Sequence, residues 1–129
     1  MKNSYLCPYC KGQLKVAEHI VFSAKTKAGK RGIIFLSPQL GDYHCINNDS
    51  FQLVEGERLE ILCPICHSNL TAMNVNKNLA EVIMVDSNNE EFYIYFSEIV
   101  GEKCTYKIHE KDIESYGENS AQYMNYFGV

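Results

Sequence analysis

Two short cysteine motifs limit what this chain can fold into more than any other feature. They read Cys7-Pro8-Tyr9-Cys10-Lys11-Gly12-Gln13-Leu14 and Cys63-Pro64-Ile65-Cys66-His67-Ser68-Asn69-Leu70. Each is a Cys-Pro-x-Cys unit followed by a leucine at the same offset. Two such units supply four thiolates, enough to close a tetrahedral zinc shell. The two-residue spacing lets both sulfurs of a unit reach one ion, and amides in the turn can donate to them. Proline presets one φ angle and narrows the unfolded loop. Gly12 is expected to take the positive φ needed where a turn rejoins a strand. Leu14 and Leu70 are expected to pack beneath the site.

These turns resemble the knuckles of zinc-ribbon proteins, in which two such turns, each at the end of a β-hairpin, hold one zinc through four cysteines. The resemblance covers only the two motifs. It implies Cys7, Cys10, Cys63 and Cys66 as ligands of one structural Zn²⁺. The chain departs from that pattern in separation: 52 residues lie between Cys10 and Cys63, against roughly 15–20 in the usual pairing. A β insertion must therefore sit between the knuckles.

Two other allocations of the cysteines stand beside this one. Cys45 adjoins His44, and Cys104 precedes His109. Two zincs would result if Cys7, Cys10, His44 and Cys45 formed one site and Cys63, Cys66, Cys104 and His109 another. A lone cysteine on a strand, however, is commonly a small buried apolar residue. Cys-Pro-Tyr-Cys is also the active-site sequence of glutaredoxins, which makes a dithiol redox protein the rival chemistry. In that fold the pair opens a helix whose N-terminus activates the first thiol. Here only six residues precede Cys7, and Lys11-Gly12-Gln13 is a poor first helical turn. His67 follows Cys66 at the exit of its turn and is read as a surface residue.

The rest of the chain reads as mainly β, or as α+β if a short C-terminal helix forms. Residues 15–22 hold β-formers, residues 25–32 are a polar, glycine-punctuated hairpin loop, and 33–36 is an apolar run expected to be a buried strand. Residues 59–62 lead into the second motif as a strand. Residues 79–85 and 91–96 form a hairpin around an Asp86-Ser87-Asn88-Asn89-Glu90 turn, and 104–109 alternates with a period of two. Tyr93 and Tyr95 share one face of their strand, opposite Phe92, Ile94 and Phe96. One domain of 129 residues is expected, with 112–129 as a helix, a flexible end or a tail docked on that tyrosine face.

Composition bounds the function. The formal charge is −4 and hydrophobic residues make up 46%, so general backbone-driven nucleic-acid binding is disfavoured. The charge is uneven: residues 1–62 carry 8 Lys and Arg against 6 Asp and Glu, and residues 63–129 carry 4 against 10. Lys25, Lys27, Lys30 and Arg31 gather in one loop, the candidate contact for nucleic acid, although an exposed turn made soluble by lysine is the favoured explanation. No apolar run approaches the roughly 20 residues of a membrane helix, and no apolar signal segment precedes Cys7. A reducing cytoplasm is expected, where such cysteine pairs bind metal or do redox work. No His-Glu-x-x-His, nucleophile elbow or dinucleotide fingerprint is present. A closed all-cysteine shell also leaves no open position for catalysis. The expectation is a non-enzymatic binding module with an unidentified protein partner, no membrane attachment, and nucleic-acid contact or dithiol chemistry as alternatives.

Overall fold

Alternating apolar and polar residues, broken by glycine and asparagine turns, give ten strands and one short helix in the computed structural model, which describes residues 3–127. The last two residues of the expected tail, 128 and 129, lie outside the described residues. The first sheet contains β1 (Ser4–Leu6), β7 (Leu79–Val85), β8 (Glu91–Ser97), β9 (Thr105–His109) and β10 (Asp112–Tyr116), in the spatial order β1-β7-β8-β9-β10. The second runs β2 (Lys15–Val16), β3 (His19–Lys25), β4 (Arg31–Leu36), β5 (Cys45–Asn47). A further short strand, β6 (Glu60–Leu62), shares the β2 edge of β3: β2 pairs with residues 19–20 and β6 with residues 23–25. All strand pairs are antiparallel. The fold is mainly β, and the segment between the two cysteine motifs is the second sheet.

The sheets pack face to face on one core. Ile20, Phe22, Ala24 and Ile34 come from the second sheet, and Tyr5, Val82, Met84 and Ile94 from the first. These side chains sit at every second position, as a strand with one buried face requires. The β7–β8 hairpin turns through Asn89 at φ 64°, with the Asp86 carboxylate accepting from the Asn88 and Glu90 amides at 2.9 and 3.0 Å. Asparagine tolerates that left-handed conformation better than most residues.

Two elements differ from the sequence reading. The run 33–36 is not buried on both faces: Ile34 is 2% exposed, but Ile33 is 45% and Phe35 36% exposed. Their face of the sheet points outward, because among the described residues no layer covers it. Residues 112–116 form a strand, β10, paired with β9 through a turn at Glu110-Lys111. That turn has neither glycine nor asparagine, so it gives no hairpin signal.

A 3₁₀ helix, Ser120–Phe127, follows. Its Phe127 ring packs 4.8 Å from Tyr106 and 5.2 Å from Tyr95, between centroids. Tyr123 donates to the Glu102 carboxylate at 2.7 Å, and the Tyr106 hydroxyl donates to the Ser120 carbonyl. The helix thus forms a second, smaller cluster on the outer face of the first sheet, with Leu79 and Cys104. Tyr93 stays outside it, 47% exposed.

A buried carboxylate ties the elements together beside β6. Glu98 is 2% exposed. It accepts from the Arg58 guanidinium at 3.0–3.1 Å, the Thr71 hydroxyl at 2.8 Å and the Ile61 amide at 3.2 Å. Glu98→Ala would orphan the Ile61 amide, leave the Thr71 hydroxyl without its acceptor and Arg58 without its carboxylate, and should cost about 2–4 kcal/mol in urea denaturation. Burial, opposed by the Thr71, Arg58 and Ile61 hydrogen bonds, holds the Glu98 carboxyl above its ordinary 4.5. A raised folded-state value means that folding favours the protonated form. That contribution is complete below the unfolded value and fades as pH rises through the folded one. The stability of the native chain relative to Glu98→Gln should therefore fall as pH climbs from about 4.5; a flat difference would contradict this.

Candidate metal centre

Both cysteine motifs lie at hairpin tips, built by the same backbone hydrogen bonds. In the first, the Cys7 amide donates to the Gly12 carbonyl and the Lys11 amide to Cys7, at 3.1 and 2.9 Å. In the second, the Cys63 amide donates to Ser68 and the His67 amide to Cys63, at 2.9 and 3.0 Å. Leu6 bridges to Gln13, and Leu62 to Asn69. The equivalence continues outward. The Leu14 amide donates to Tyr5 and its carbonyl accepts from Val21, while the Leu70 amide donates to Ile61 and its carbonyl accepts from Glu81. Leu14 and Leu70 are each 1% exposed, under the tips.

The chain changes sheet at each tip. It enters the first from β1, in the first sheet, and leaves into β2, in the second. It enters the second tip from β6, in the second sheet, and leaves by a bridge from Thr71 to Ala80 of β7, in the first. The two tips are thus opposite crossings brought together.

Four sulfurs meet between them. The Sγ atoms of Cys7, Cys10, Cys63 and Cys66 all lie within 4.8 Å of one another. Cys7–Cys66 and Cys10–Cys63 are each 3.8 Å apart, and all four thiols are free. A tetrahedron of sulfurs about 2.3 Å from a central ion has edges of about 3.8 Å, so the donor set fits a single metal ion. Backbone amides already point at the sulfurs. Tyr9 and Cys10 donate to Cys7 at 3.3 and 3.4 Å, and Ile65 and Cys66 donate to Cys63 at the same two distances. The Gly12 amide adds a bond to Cys10 at 3.3 Å. Such donors disperse thiolate charge and orient the ligands.

Cys7 and Cys63 are buried, whereas Cys10 and Cys66 face outward. Burial pushes the Cys7 thiol up to about 12, while the Ser68 hydroxyl and amide hold Cys66 down to about 6. A cation at the centre removes this conflict, because it favours the thiolate at all four positions.

The positive φ expected at Gly12 belongs instead to the residue before it. Lys11 has φ 62°, and its counterpart His67, an exposed residue, has φ 66°. Gly12 is needed for close approach: a Cβ there would lie 2.5 Å from Cδ1 of Ile65 in the opposite tip. Gln13 and Asn69 were not singled out by sequence reasoning, yet they act alike. Gln13 Oε1 accepts from the Lys15 amide at 3.2 Å, and Asn69 Oδ1 accepts from the Thr71 amide at 2.8 Å. Their matching offset from the cysteines was the available signal.

The two-site allocation is not assembled. Cys45, half-buried on β5, lines the space between the sheets. Cys104 is fully buried 4.0 Å from Glu102 Oε1, and burial pushes its thiol up to about 12. His44 is exposed, its amide bonded to Asp42. His109 contacts the Glu91 carbonyl at 3.1 Å and Glu90 at 3.6 Å. Among the described residues, the Cys7–Cys10–Cys63–Cys66 group is the one cluster of three or more candidate ligands. Lys25, Lys27, Lys30 and Arg31 do gather at one hairpin tip, but Glu57 and Glu60 line the adjoining groove, and Glu57 accepts from the Lys27 amide at 3.2 Å.

No protein-family model, curated protein or solved structure matches this chain.

Two outcomes follow from the geometry. Replacing any of the four clustered cysteines by serine should abolish bound metal by elemental analysis, whereas Cys45→Ala and Cys104→Ala should retain the full stoichiometry. Lys11→Gly and His67→Gly relieve a left-handed side-chain conformation and should each stabilise the metal-loaded protein by about 0.5–1 kcal/mol, read from urea midpoints.

Proposed function

We propose that this chain is a non-enzymatic binding module, fastened by one structural Zn²⁺ on Cys7, Cys10, Cys63 and Cys66, that acts through protein contacts. The observation that carries the reading is the meeting of four sulfurs within 4.8 Å of one another, two pairs of them 3.8 Å apart, with each tip presenting the same amide donors. Zinc suits such a set because it tolerates tetrahedral thiolate coordination without redox chemistry. With all four positions taken by protein, no site is left for a substrate or an activated water. The paired hairpin tips are also what a zinc-ribbon-like site requires. A site built from four thiolates suits a reducing compartment, and the cytoplasm is the one proposed. Among the described residues no helix is long and apolar enough to cross a membrane.

The contact surface proposed is the outer face of the second sheet. Val21, Phe35 and Ile46 are directly opposite one another across β3, β4 and β5. Ile33, Phe35 and Ile46 are each more than a third exposed. Contiguous exposed apolar residues of this kind are typical of interaction surfaces.

The alternatives have less support. The basic hairpin tip offers cations for phosphate, but its acidic neighbours offset them. Dithiol catalysis needs an accessible first thiol at a helix N-terminus; here Cys7 and Cys63 are buried and follow strands.

Purified protein should carry one zinc per chain and be colourless. An iron–thiolate absorption would reject zinc, and a metal-free folded protein would reject the fastener. In-cell crosslinking should attach partners to the outer face of the second sheet, and Phe35→Ser with Ile46→Ser should remove those crosslinks without loss of zinc. Salt-dependent nucleic-acid binding, lost on neutralising Lys27, Lys30 and Arg31, would instead favour the basic tip.

A further inference from the structure

The two sheets do not fill the space between them. A cavity of about 220 Å³ remains, walled by Phe22, Ile34, Leu36, Leu53, Ile94 and Phe96. Native interiors are close-packed and carry few voids larger than a water. This one is about seven times the ~30 Å³ share of a water molecule in the liquid. Two surface loops, residues 39–42 and 101–103, border the same space.

The buried polar side chains on its wall already have partners. Glu98 is held by Arg58, Thr71 and the Ile61 amide. Glu102 accepts from Ser97 at 2.6 Å and Tyr123 at 2.7 Å. The Tyr43 hydroxyl is 3.0 Å from that of Thr105. Among the described residues, no buried side-chain nitrogen or oxygen lacks a hydrogen-bond partner. A water needs two to four polar partners to be held in such a site, and the buried part of this wall has no unpaired side chain to supply them. Of the three carboxylates on its border, Glu98 and Glu102 are so engaged, while Asp42, like Lys103, belongs to an exposed loop at the rim, so the buried part of the wall offers an ion no free partner.

We infer that the space between the sheets is a binding site for a small, neutral, apolar molecule, entered between the loops at residues 39–42 and 101–103. Its size follows from comparison with a known apolar cavity of about 150 Å³ that takes benzene. On that scale, about 220 Å³ accommodates a bicyclic aromatic or an alicyclic body of roughly ten carbons. Such ligands bind by filling an apolar space with few polar contacts. The site is separate from the metal-holding tips and uses none of their sulfurs. It is separate too from the outer face proposed for protein contact.

The test uses the full, metal-loaded chain and fluoronaphthalene as probe, followed by fluorine NMR. Saturable binding with one probe per chain is expected. Leu36→Phe and Val82→Phe, which put bulk into the cavity, should each weaken it at least tenfold. Phe35→Ser, on the outer face, should leave it unchanged. If the filling variants do not fold, intermolecular NOEs in the native chain decide: contacts from the probe to the Ile34 and Leu53 methyls support the site. The proposal is overturned by the absence of saturable binding, by full affinity in folded cavity-filled variants, by loss of binding in Phe35→Ser, or by NOEs confined to the outer-face residues Ile33 and Ile46.

Discussion

The meeting of four sulfurs between two hairpin tips is the constraint on which the rest of the architecture depends. Each tip is where the chain passes from one sheet to the other, in opposite senses. Tyr5 and Ile61 enter the tips, Leu14 and Leu70 leave them, and all four are buried. Displacing one tip therefore disturbs the edge of both sheets and the core beneath. A cation shared by the tips couples residues more than fifty positions apart in sequence. That is where a crosslink removes the most unfolded-state freedom in the loop-closure account.

The chemistry of the cluster explains why a cation belongs there. Buried thiols resist ionisation, as the raised Cys7 shows. The amide and hydroxyl donors around the sulfurs are nevertheless arranged for negative charge. Donors without charge, or charge without a cation, would leave either half of this arrangement uncompensated. Four protein thiolates around one ion would leave no open coordination position on it, which turns attention from the cysteines to the surfaces beside them.

Those surfaces are of different kinds. The outer face of the first sheet is covered in part by the chain's own 3₁₀ helix, through Tyr123 and Phe127. The outer face of the second sheet has no such cover among the described residues, and Phe35 and Ile46 remain exposed. Between the sheets, Glu98 and Glu102 are committed to internal hydrogen bonds, so the apolar cavity beside them is shaped by packing and not by a polar network.

The sequence by itself picked out the two cysteine pairs and much of the β framework. Cys-Pro-x-Cys needs only local geometry to aim two sulfurs at one point. The hairpin at 79–96 has apolar, β-branched and aromatic runs on both sides of an Asp-Asn turn, so its first strand was legible to the residue and its second to within one. Where local signals were silent, tertiary structure decided. β10 forms without a turn signature because β9 offers it an edge. The outward exposure of Ile33 and Phe35 could not be read from an apolar run, since burial depends on whether a second layer exists. Lys11, not Gly12, takes the positive φ, as His67 does at the matching position of the other tip; what tertiary structure adds at Gly12 is the close approach of Ile65 from a motif far along the chain. Cys45 and Cys104 have the residue type of ligands but not the position. Spacing within a turn is a local property; which sulfurs meet across 52 residues is settled only when the two sheets close on each other.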